Sequence, residues 1–567
     1  MTRRIVRTSI QLGILTFIVL LLLFFLDNRF RVLPDAIHNA LPAHHPGLVI
    51  TDITLVTCSA LNILSNCKLD AAKWHRVDKD LYLSSAWVSH AYIHIQRKRE
   101  SELTDEDKVI IDVRISRLDP VTSEKDQGHE RWEQRPGGIW LKRTSKRHAS
   151  DSLKAITAVD VLFGADAVEA RPSWELKHQP IFLPSPGDRP EAHLSLRRGP
   201  AAKVEKPTLR VRKDGKFKIL QVADLHLSTG LGICRDAEPP TMHSAKCDAD
   251  SRTLEFVGSV LDSEKPDLVV LSGDQVNGET APDAQSAVFK YAELLISRSI
   301  PFATIFGNHD DEGSLTRMAM MQLSESLPYS LGVPGPNSVD GVGNYYLEVL
   351  SHKPAQHSSA LTLYFLDTHG YSPDERNFRG YDWLKKSQVD WFRATSEELK
   401  KSTLHNHASH VRMDMAFIHI PLPEYRNAAD IVEASGKILE SPTAPGFNSG
   451  FKQALVDEGV LAVSCGHDHV NDYCALAHSE TEKVGDEPKP ELWMCYAGGS
   501  GFGGYAGYED PDNSNKGFRR RVRVYEFDMN EARISTWKRV EWGPNKGDTE
   551  KRVDEMIIAD RGKVVAA

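Results

Sequence analysis

The sequence lacks several features that mark familiar functional classes. Lysine and arginine number 69 against 78 aspartates and glutamates, and the formal net charge of −9 argues against a protein that binds nucleic acid. No CxxC spacing occurs, which argues against a zinc–thiolate site. No Asn-x-Ser/Thr triplet occurs, so the chain offers no standard acceptor for an N-linked glycan. The glycine-rich residues 497–508 lack the Gly-Lys-Ser/Thr ending of a nucleotide-binding P-loop, and we predict turns between strands there.

One apolar run near the N-terminus is long enough to enter a membrane. Residues 10–26 are almost wholly apolar, and as a helix they would span about 25 Å, just enough for a bilayer core. Three arginines precede the run, which favours a cytosolic N-terminus. We therefore expect residues 1–9 in the cytosol, a transmembrane signal anchor at 10–26, and a catalytic domain that is lumenal or extracellular. A cleaved signal peptide is the alternative, although no small-x-small cleavage pattern follows closely.

The chain has seven cysteines, and they support a lumenal or extracellular location only weakly, because an odd count does not show that they pair. Three pairs are close enough in sequence to form disulfides and leave Cys495 over: Cys58 with Cys67, Cys234 with Cys247, and Cys465 with Cys474.

A length of 567 residues predicts two or three domains. Stretches of alternating polarity and half of the tryptophans indicate a β-rich accessory domain over 45–183. Residues 184–207 are rich in proline and are typical of a linker. From 208 to 542, short apolar runs alternate with helical patterns, which predicts an α/β core with buried strands. Residues 543–567 are expected to form a loosely held tail.

Polar residues follow the predicted strands of this core at five places. Asp224 and His226 follow FKILQVA, Asp274 follows PDLVVLSG, Asn308 and His309 follow FATIFG, His419 lies in AFIHIP, and His467 and His469 follow LAVSCG. Loops at the carboxyl ends of strands converge over a rigid sheet, which is where α/β proteins bind ligands. Imidazole and carboxylate groups suit ions such as Zn, Fe or Mn, and an aspartate can bridge two of them.

These motifs, in this order, carry a resemblance to a known family. The series D-x-H, GD, GNHD, a lone histidine and GHDH resembles the calcineurin-like metallophosphoesterase superfamily over residues 208–542. The blocks VADLHLS and LSGDQVNG are more closely similar to fungal phosphatases of the dose-dependent cell cycle regulator type and to related, divergent purple acid phosphatase-like proteins. The resemblance implies an α/β (α+β) fold, a four-layer αββα sandwich with a dinuclear metal centre.

The resemblance also implies a role for each residue. The first ion would be held by Asp224, His226, Asp274 and His469. The second would be held by Asp274, Asn308, His419 and His467, so that Asp274 bridges the two. His309 would give a proton to the leaving group, and Asp310 would hold its orientation. Two ions, each Fe, Zn or Mn, would hold the hydroxide that attacks phosphorus.

Two departures from the better-known purple enzymes change the expected centre. Those enzymes owe their colour to a tyrosinate on iron where this chain has Asn277, and they lack the histidine that is His226 here. We therefore expect a colourless centre. A long insertion over 229–250 contains Cys234 and Cys247; it either lines the substrate entrance or forms a surface loop away from substrate.

The expected function is that of a membrane-anchored, dinuclear metal-dependent phosphatase acting on phosphomonoesters, with phosphoproteins among the candidate substrates. A phosphodiesterase or nucleotidase that uses the same centre is the alternative. A non-catalytic binding module is a third hypothesis, and the complete ligand set argues against it. The expected partners are a phosphorylated substrate and, through residues 10–26, a membrane; nucleic acid is not expected.

Overall fold

The structure is a computed structural model of the chain. It describes residues 11–19, 22, 47–59, 67, 69–83, 89–104, 106–120, 132–144, 154–184, 189–240, 247–352, 359–401, 412–430, 434–479, 488–507, 518–541 and 551–566.

The described residues form two compact units. The first takes its residues from 1–160, 181–185 and 196–201, and the second from 161–180, 186–195 and 202–567. Their strands up to residue 198 are β1 (Leu48–Ser59), β2 (His75–Arg76), β3 (Ser89–Arg99), β4 (Ile110–Ile115), β5 (Trp132–Arg135), β6 (Ile139–Arg143), β7 (Ile156–Phe163), β8 (Trp174–Leu176) and β9 (Ala192–Arg198). Short 3₁₀ helices cover Glu100–Glu102, Pro136–Gly138, Gly278–Thr280 and Pro423–Asp430.

The first unit contains two antiparallel three-stranded sheets, in the orders β1–β3–β2 and β4–β6–β5. Strands β1, β3 and β4 lie where alternating polarity predicts them, because every second side chain of a strand faces the core. Ile53 and Ile93, for example, are fully buried on paired strands.

The predicted linker is wrong over part of its length. Residues 192–198 form strand β9, the centre of a three-stranded sheet in the order β7–β9–β8. Leu194 and Leu196 are fully buried. The nearest prolines, Pro190 and Pro200, lie outside the strand, so no proline removes one of its hydrogen-bond donors.

The second unit is built on two seven-stranded sheets. Its strands are β10 (Lys216–Val222), β11 (Leu268–Ser272), β12 (Phe302–Ile305), β13 (Tyr345–Leu350), β14 (Ser359–Phe365), β15 (Met415–Phe417), β16 (Ala434–Ser435), β17 (Ala462–Cys465), β18 (Cys474–His478), β19 (Pro490–Tyr496), β20 (Arg521–Asp528), β21 (Arg533–Val540), β22 (Val553–Asp560) and β23 (Lys563–Val564). The first sheet has the order β12–β11–β10–β20–β21–β22–β23, and the second β13–β14–β15–β17–β19–β18–β16.

The helices of this unit are α1 (Ala249–Glu264), α2 (Ala284–Ile296), α3 (Arg317–Glu325), α4 (Lys386–Lys401) and α5 (Phe451–Asp457). In β10, Leu220 and Val222 pack in the cluster that contains α1 and α2, whereas Ile219 packs between the two sheets. In the second sheet, Leu363 faces the first sheet and Tyr364 faces α4 and α5. Alternate side chains of one strand thus serve two cores, and the predicted αββα arrangement is confirmed.

The prediction of a loosely held tail is also wrong for the described residues. Strand β22 pairs antiparallel with β21 and continues into β23. Ile558 is fully buried, and the indole N–H of Trp493 donates to the carbonyl of Val565 at 3.0 Å. The run Met556, Ile557, Ile558 provides an apolar strand that completes the edge of the first sheet.

The N-terminal run is described only in part. Residues 11–19 are helical, with exposed apolar side chains such as Leu12 and Phe17. Residues 1–9 and most of 20–26 lie outside the described residues. Within the described part of the chain, no helix is both long enough and apolar enough to span a bilayer.

Two of the three cysteine pairs suggested by sequence spacing form disulfides, and the third does not. Cys58 is bonded to Cys67 and Cys234 to Cys247. The remaining bond joins Cys474 to Cys495, and Cys465 is free and buried. Cys474 and Cys495 face each other on the paired strands β18 and β19, with Cα atoms 4.0 Å apart, a proximity that sequence separation does not reveal.

Candidate metal centre

The predicted ligands come together at the carboxyl ends of two sets of parallel strands. Strands β10, β11 and β12 are neighbours in the first sheet, and β15 and β17 are neighbours in the second. Because parallel strands end at the same sheet edge, the loops that follow them meet there. The side chains brought together are Asp224, His226, Asp274, Asn308, His419, His467 and His469, each at most 7% exposed.

These side chains form two groups, and a carboxylate of the second lies close to both. Asp224, His226 and His469 form one group, with the two imidazole Nε2 atoms 3.1 Å apart. Asp274, His419 and His467 form the other. Asp274 Oδ2 lies 3.2 Å from Nε2 of His419 and 3.7 Å from Nε2 of His226. One oxygen therefore faces both groups, as a bridging ligand would.

The histidine tautomers fit metal binding. Nδ1 of His419 lies 2.9 Å from the carbonyl oxygen of Ser272, and Nδ1 of His469 lies 2.9 Å from that of Tyr505. A carbonyl only accepts hydrogen bonds, so Nδ1 carries the hydrogen and a neutral ring keeps its Nε2 lone pair. Metal-binding histidines commonly donate their second N–H in this way.

Asn308 completes the second group. Its Oδ1 lies 3.3 Å from Nε2 of His419, and its buried Nδ2 has no hydrogen-bond partner among the described residues. A buried amide without a partner is costly. Its amide oxygen, which lies beside Nε2 of His419, fits a place beside the ion that the Asp274 group would hold.

The backbone at the ligands is strained. Asp224, His226, Asp274 and His467 have φ angles of 57°, 47°, 53° and 77°, a region that non-glycine residues seldom adopt. Such conformations persist where surrounding contacts enforce them, and they cluster at functional sites. Two glycines leave room: a Cβ on Gly273 would lie 2.1 Å from Nδ1 of His419, and a Cβ on Gly307 would lie 2.1 Å from Oδ1 of Asp274.

Burial and charge set the protonation states of the ligands before a cation binds. Burial lowers the pKa of His419, but the charges of Asp274 and Asp224 outweigh it and raise that pKa to about 9, so a bound cation would have to displace the proton on Nε2. Burial lowers the pKa of His226 to about 4 and that of His467 to about 3, so both imidazoles stay neutral and can coordinate. Burial alone would raise the pKa of Asp274, but His419 and the other nearby imidazoles hold it well below its usual value. The bridging carboxylate is therefore ionised.

The role predicted for Asp310 is wrong. Its fully buried carboxylate accepts hydrogen bonds from the backbone N–H groups of Asp274, Val276 and Gly307, at 2.8, 2.9 and 2.7 Å. The side chain thus joins the loop after β11 to the loop after β12. It orients the ligand-bearing backbone, not the ring of His309.

Glu312 takes the role that the sequence analysis assigned to Asp310. Its Oε2 lies 2.7 Å from Nδ1 of His309, and both side chains are 31% exposed. Burial lowers the pKa of His309, but the charges of Asp274 and Glu312 outweigh it and raise that pKa above its usual value. The sequence signal was a carboxylate three residues after the histidine, which brings it back to the ring in a tight turn.

The insertion that carries Cys234 and Cys247 lies beside the centre. The carboxylate of Asp236 accepts the N–H groups of Ala506 and Gly507, at 3.0 and 2.9 Å. In the same glycine-rich loop, a Cβ on Gly504 would lie 2.3 Å from the His469 ring. The insertion therefore holds the loop that covers the His469 side; its residues 241–246 lie outside the described part.

Comparison with known proteins gives consistent matches. A family model described as calcineurin-like phosphoesterase matches residues 217–471. The chain is 38% identical to phosphatase DCR2 of Saccharomyces cerevisiae, over 69% of this chain and 65% of that protein. It is 31% identical to an uncharacterized protein of Schizosaccharomyces pombe, over 90% of each chain. It is 35% identical to probable inactive purple acid phosphatase 29 of Arabidopsis thaliana, over 60% of this chain and 86% of that protein.

Proposed function

The chain belongs to the calcineurin-like phosphoesterase family, and from this premise we propose that it is a phosphatase acting on phosphomonoesters. The family assignment confirms the resemblance predicted from the motifs and makes the chain a metal-dependent phosphoric ester hydrolase. The observation that carries the proposal is the pair of buried ligand groups with Asp274 Oδ2 facing both.

The ligand groups define what the centre can do. Two bound ions would neutralise phosphate oxygens and supply a water that ionises near neutral pH. Asp274 would help to hold both ions, because one of its oxygens faces both groups. The donor set of imidazole, carboxylate and amide accepts Zn, Fe or Mn, so the proposal specifies two ions and leaves their identity to metal analysis.

We propose that His309 protonates the departing oxygen. Its ring centroid lies 5.4 Å from that of His226, and the ring is partly exposed, so a substrate can reach it. Glu312 accepts from Nδ1, which leaves Nε2 as the ring atom that exchanges a proton with substrate. Alcohols that leave poorly need this proton most.

The test compares a monoester with a diester. We would strip the full-length chain of metal, reload it with Mn²⁺, and measure hydrolysis of para-nitrophenyl phosphate and of its bis-ester. A dominant monoester rate that vanishes with chelator supports the proposal. A dominant diester rate would replace it with the phosphodiesterase alternative.

A matched pair of variants ties the activity to the centre. Asp274→Asn should bind fewer than two ions and lose activity, because it removes the shared carboxylate charge. Asp457→Asn, at an exposed carboxylate that pairs with Arg393, should bind two ions and keep its activity. Full activity in Asp274→Asn would place the chemistry elsewhere.

We also propose that residues 10–26 anchor the protein in a membrane, with the catalytic unit lumenal or extracellular. The apolar run supports this, as do three disulfides, which persist in oxidising compartments. Alkaline extraction of membranes and protease protection of the full-length chain test it. A soluble chain that starts downstream of residue 26 would establish the cleaved signal peptide instead.

A further inference from the structure

One loop beside the metal centre presents aromatic side chains to solvent. Residues 370–384, here called the aromatic loop, contain Tyr371, Phe378, Tyr381 and Trp383. Tyr371 is 54% exposed and Phe378 40%. A large exposed aromatic side chain next to a catalytic centre calls for an explanation, since apolar exposure beside a site often marks a ligand.

The start of the aromatic loop is fastened to the loop that carries His309. The guanidinium of Arg317 donates to the carbonyl oxygens of Gly307 and His369, at 2.6 and 3.0 Å. A Cβ on Gly370 would lie 3.8 Å from the Cα of Asn308. Tyr371 directly follows Gly370, which lies close to Asn308. Asn308 in turn directly precedes His309, the proposed proton donor.

The ring of Tyr371 is held in place by Tyr381. Its backbone bridges to Tyr381, and the N–H of Ser372 donates to the carbonyl of Gly380 at 2.8 Å. The two tyrosine rings stack, with centroids 4.9 Å apart and planes at 21°. Tyr381 in turn makes an edge contact with the ring of His467, at 4.4 Å and 88°. The ligand His467, Tyr381 and Tyr371 thus form one continuous row of rings leading outward from the centre.

We propose that Tyr371 stacks against a planar aromatic ring carried by the alcohol part of the substrate, so that the site favours aromatic phosphomonoesters. The inference rests on the proposed function. The departing oxygen must lie near His309, and Tyr371 is the exposed ring tied to that histidine's loop. Tyr381 covers one face of Tyr371 and holds it in place, so a second ring gains stacking without first ordering the side chain.

A structural role for Tyr371 explains these observations less well. A tyrosine that only closes the aromatic loop would bury its ring, as Tyr364 and Tyr425 do in the same unit. The loop is already closed by backbone bonds, including that from the N–H of Asp382 to the carbonyl of Gly370 at 2.9 Å. The ring of Tyr371 adds its stack on Tyr381 to that closure, yet Tyr371 remains 54% exposed.

The test measures kcat/KM for three monoesters that differ in where an aromatic ring is attached. Phenyl phosphate has the ring on the ester oxygen, and adenosine 5′-monophosphate has it beyond a sugar. Glycerol 2-phosphate has no ring. Tyr371→Ala should lower the value by roughly 10-fold for a ring-bearing ester, the scale of one aromatic stack, and leave glycerol 2-phosphate unchanged. Tyr371→Phe should keep the wild-type preference, and Tyr371→Leu, which fills similar space without a π system, should behave like Tyr371→Ala.

The outcomes separate this inference from the function on which it rests. A loss confined to phenyl phosphate, or to the nucleotide, supports stacking and tells where the ring is attached. An equal loss on all three esters, or none, overturns the inference while the phosphatase stands. A wild-type protein inactive on all three would overturn the proposed function, and the inference with it. Tyr346→Ala, at a 39% exposed tyrosine on β13, is the matched control.

Discussion

Two acidic residues that follow His309 have different tasks. The carboxylate of Asp310 turns inward and binds three backbone N–H groups, whereas that of Glu312 turns back to the imidazole. The division follows from burial, since Asp310 is fully buried and Glu312 is exposed. A buried carboxylate is stable only if its oxygens are satisfied, and the strand-end N–H groups provide this.

We expect Glu312→Gln to change proton transfer and leave metal binding intact. The negative charge of Glu312 helps to raise the pKa of His309, so its removal lowers that pKa. A general acid works only when protonated, so the alkaline limb of the kcat/KM profile should move to lower pH. Phenyl phosphate, with the poorer leaving group, should slow more than para-nitrophenyl phosphate. Glu397→Gln, at an exposed partner of Lys401, should leave the profile unchanged, and an unshifted limb in Glu312→Gln would refute the pairing.

Asp310→Asn should show the opposite pattern. An amide replaces one accepting oxygen with a donor, so at least one buried N–H of the ligand loops loses its partner. We expect a stability loss of about 2 kcal/mol or more, with weaker metal binding and equal slowing of good and poor leaving groups. Urea unfolding and metal titration would measure these effects; selective slowing of poor leaving groups would restore Asp310 as the partner of His309.

At the scale of elements, one buried guanidinium fastens two loops to each other. Arg520, just before β20, is 2% exposed and donates to the carbonyl oxygens of Gly501, Arg235 and Gly504, at 2.6, 2.7 and 2.8 Å. Arg235 belongs to the disulfide-bonded insertion, and Gly501 and Gly504 to the glycine-rich loop. The shape of the rim over His469 therefore depends on a side chain remote from it in sequence.

Arg520→Lys should loosen this rim, because an ammonium on a flexible stem does not reproduce the guanidinium fork. We expect the free energy of unfolding to fall by about 2–4 kcal/mol, the cost of losing charged hydrogen bonds to buried carbonyls, together with weaker metal binding. Thermal unfolding and metal content are the readouts. Arg533→Lys, at a partly exposed arginine that pairs with Asp560, is the matched control, and equal behaviour of the two variants would contradict the proposed fastening.

At the scale of the whole catalytic unit, Asp472 links the two sheets. It lies in the loop between β17 and β18 of the second sheet, and its carboxylate contacts Arg521 of β20 and Lys538 of β21 in the first. The carboxylate is fully buried, and so is most of each cation. Burial would raise the pKa of Asp472, but the two cations lower it to about 2.

This pKa sets an acid limit on the stability that Asp472 contributes. The folded pKa of about 2 lies below the ordinary value of 3.8, so the contribution is complete above about pH 4 and is lost as the pH falls toward 2. Asp472→Asn leaves two buried cations short of a partner and should cost about 3–5 kcal/mol at pH 7. Urea unfolding from pH 7 to pH 2 should show that the variant loses less stability in acid than the wild type does. An unchanged slope of stability against pH would assign the acid sensitivity to other groups. Asp560→Asn is the surface control.

The ligand positions could be predicted because each motif directly follows an apolar run. A strand of a buried sheet is recognisable from its own residues, and the loop after it is bound to lie at the sheet edge. The same local reasoning placed β1, whereas the αββα layers were implied by the resemblance of the motifs to a known family. It failed for β9, where flanking prolines suggested a linker, and for β22, whose apolar residues pair with strand β21 of the first sheet.

The sequence alone determined the family, the order of the strands that bear ligands, and the set of groups available to bind two ions, because these depend on residue identity and short-range pattern. Only the tertiary structure decided which carboxylate meets His309 and that Cys474 pairs with Cys495 rather than with Cys465. It also decided that Tyr371 is connected to the ligand His467 through Tyr381. These are contacts set by where a side chain points and which strands become neighbours. Both are fixed by packing across the whole catalytic unit, so no local stretch of sequence contains them.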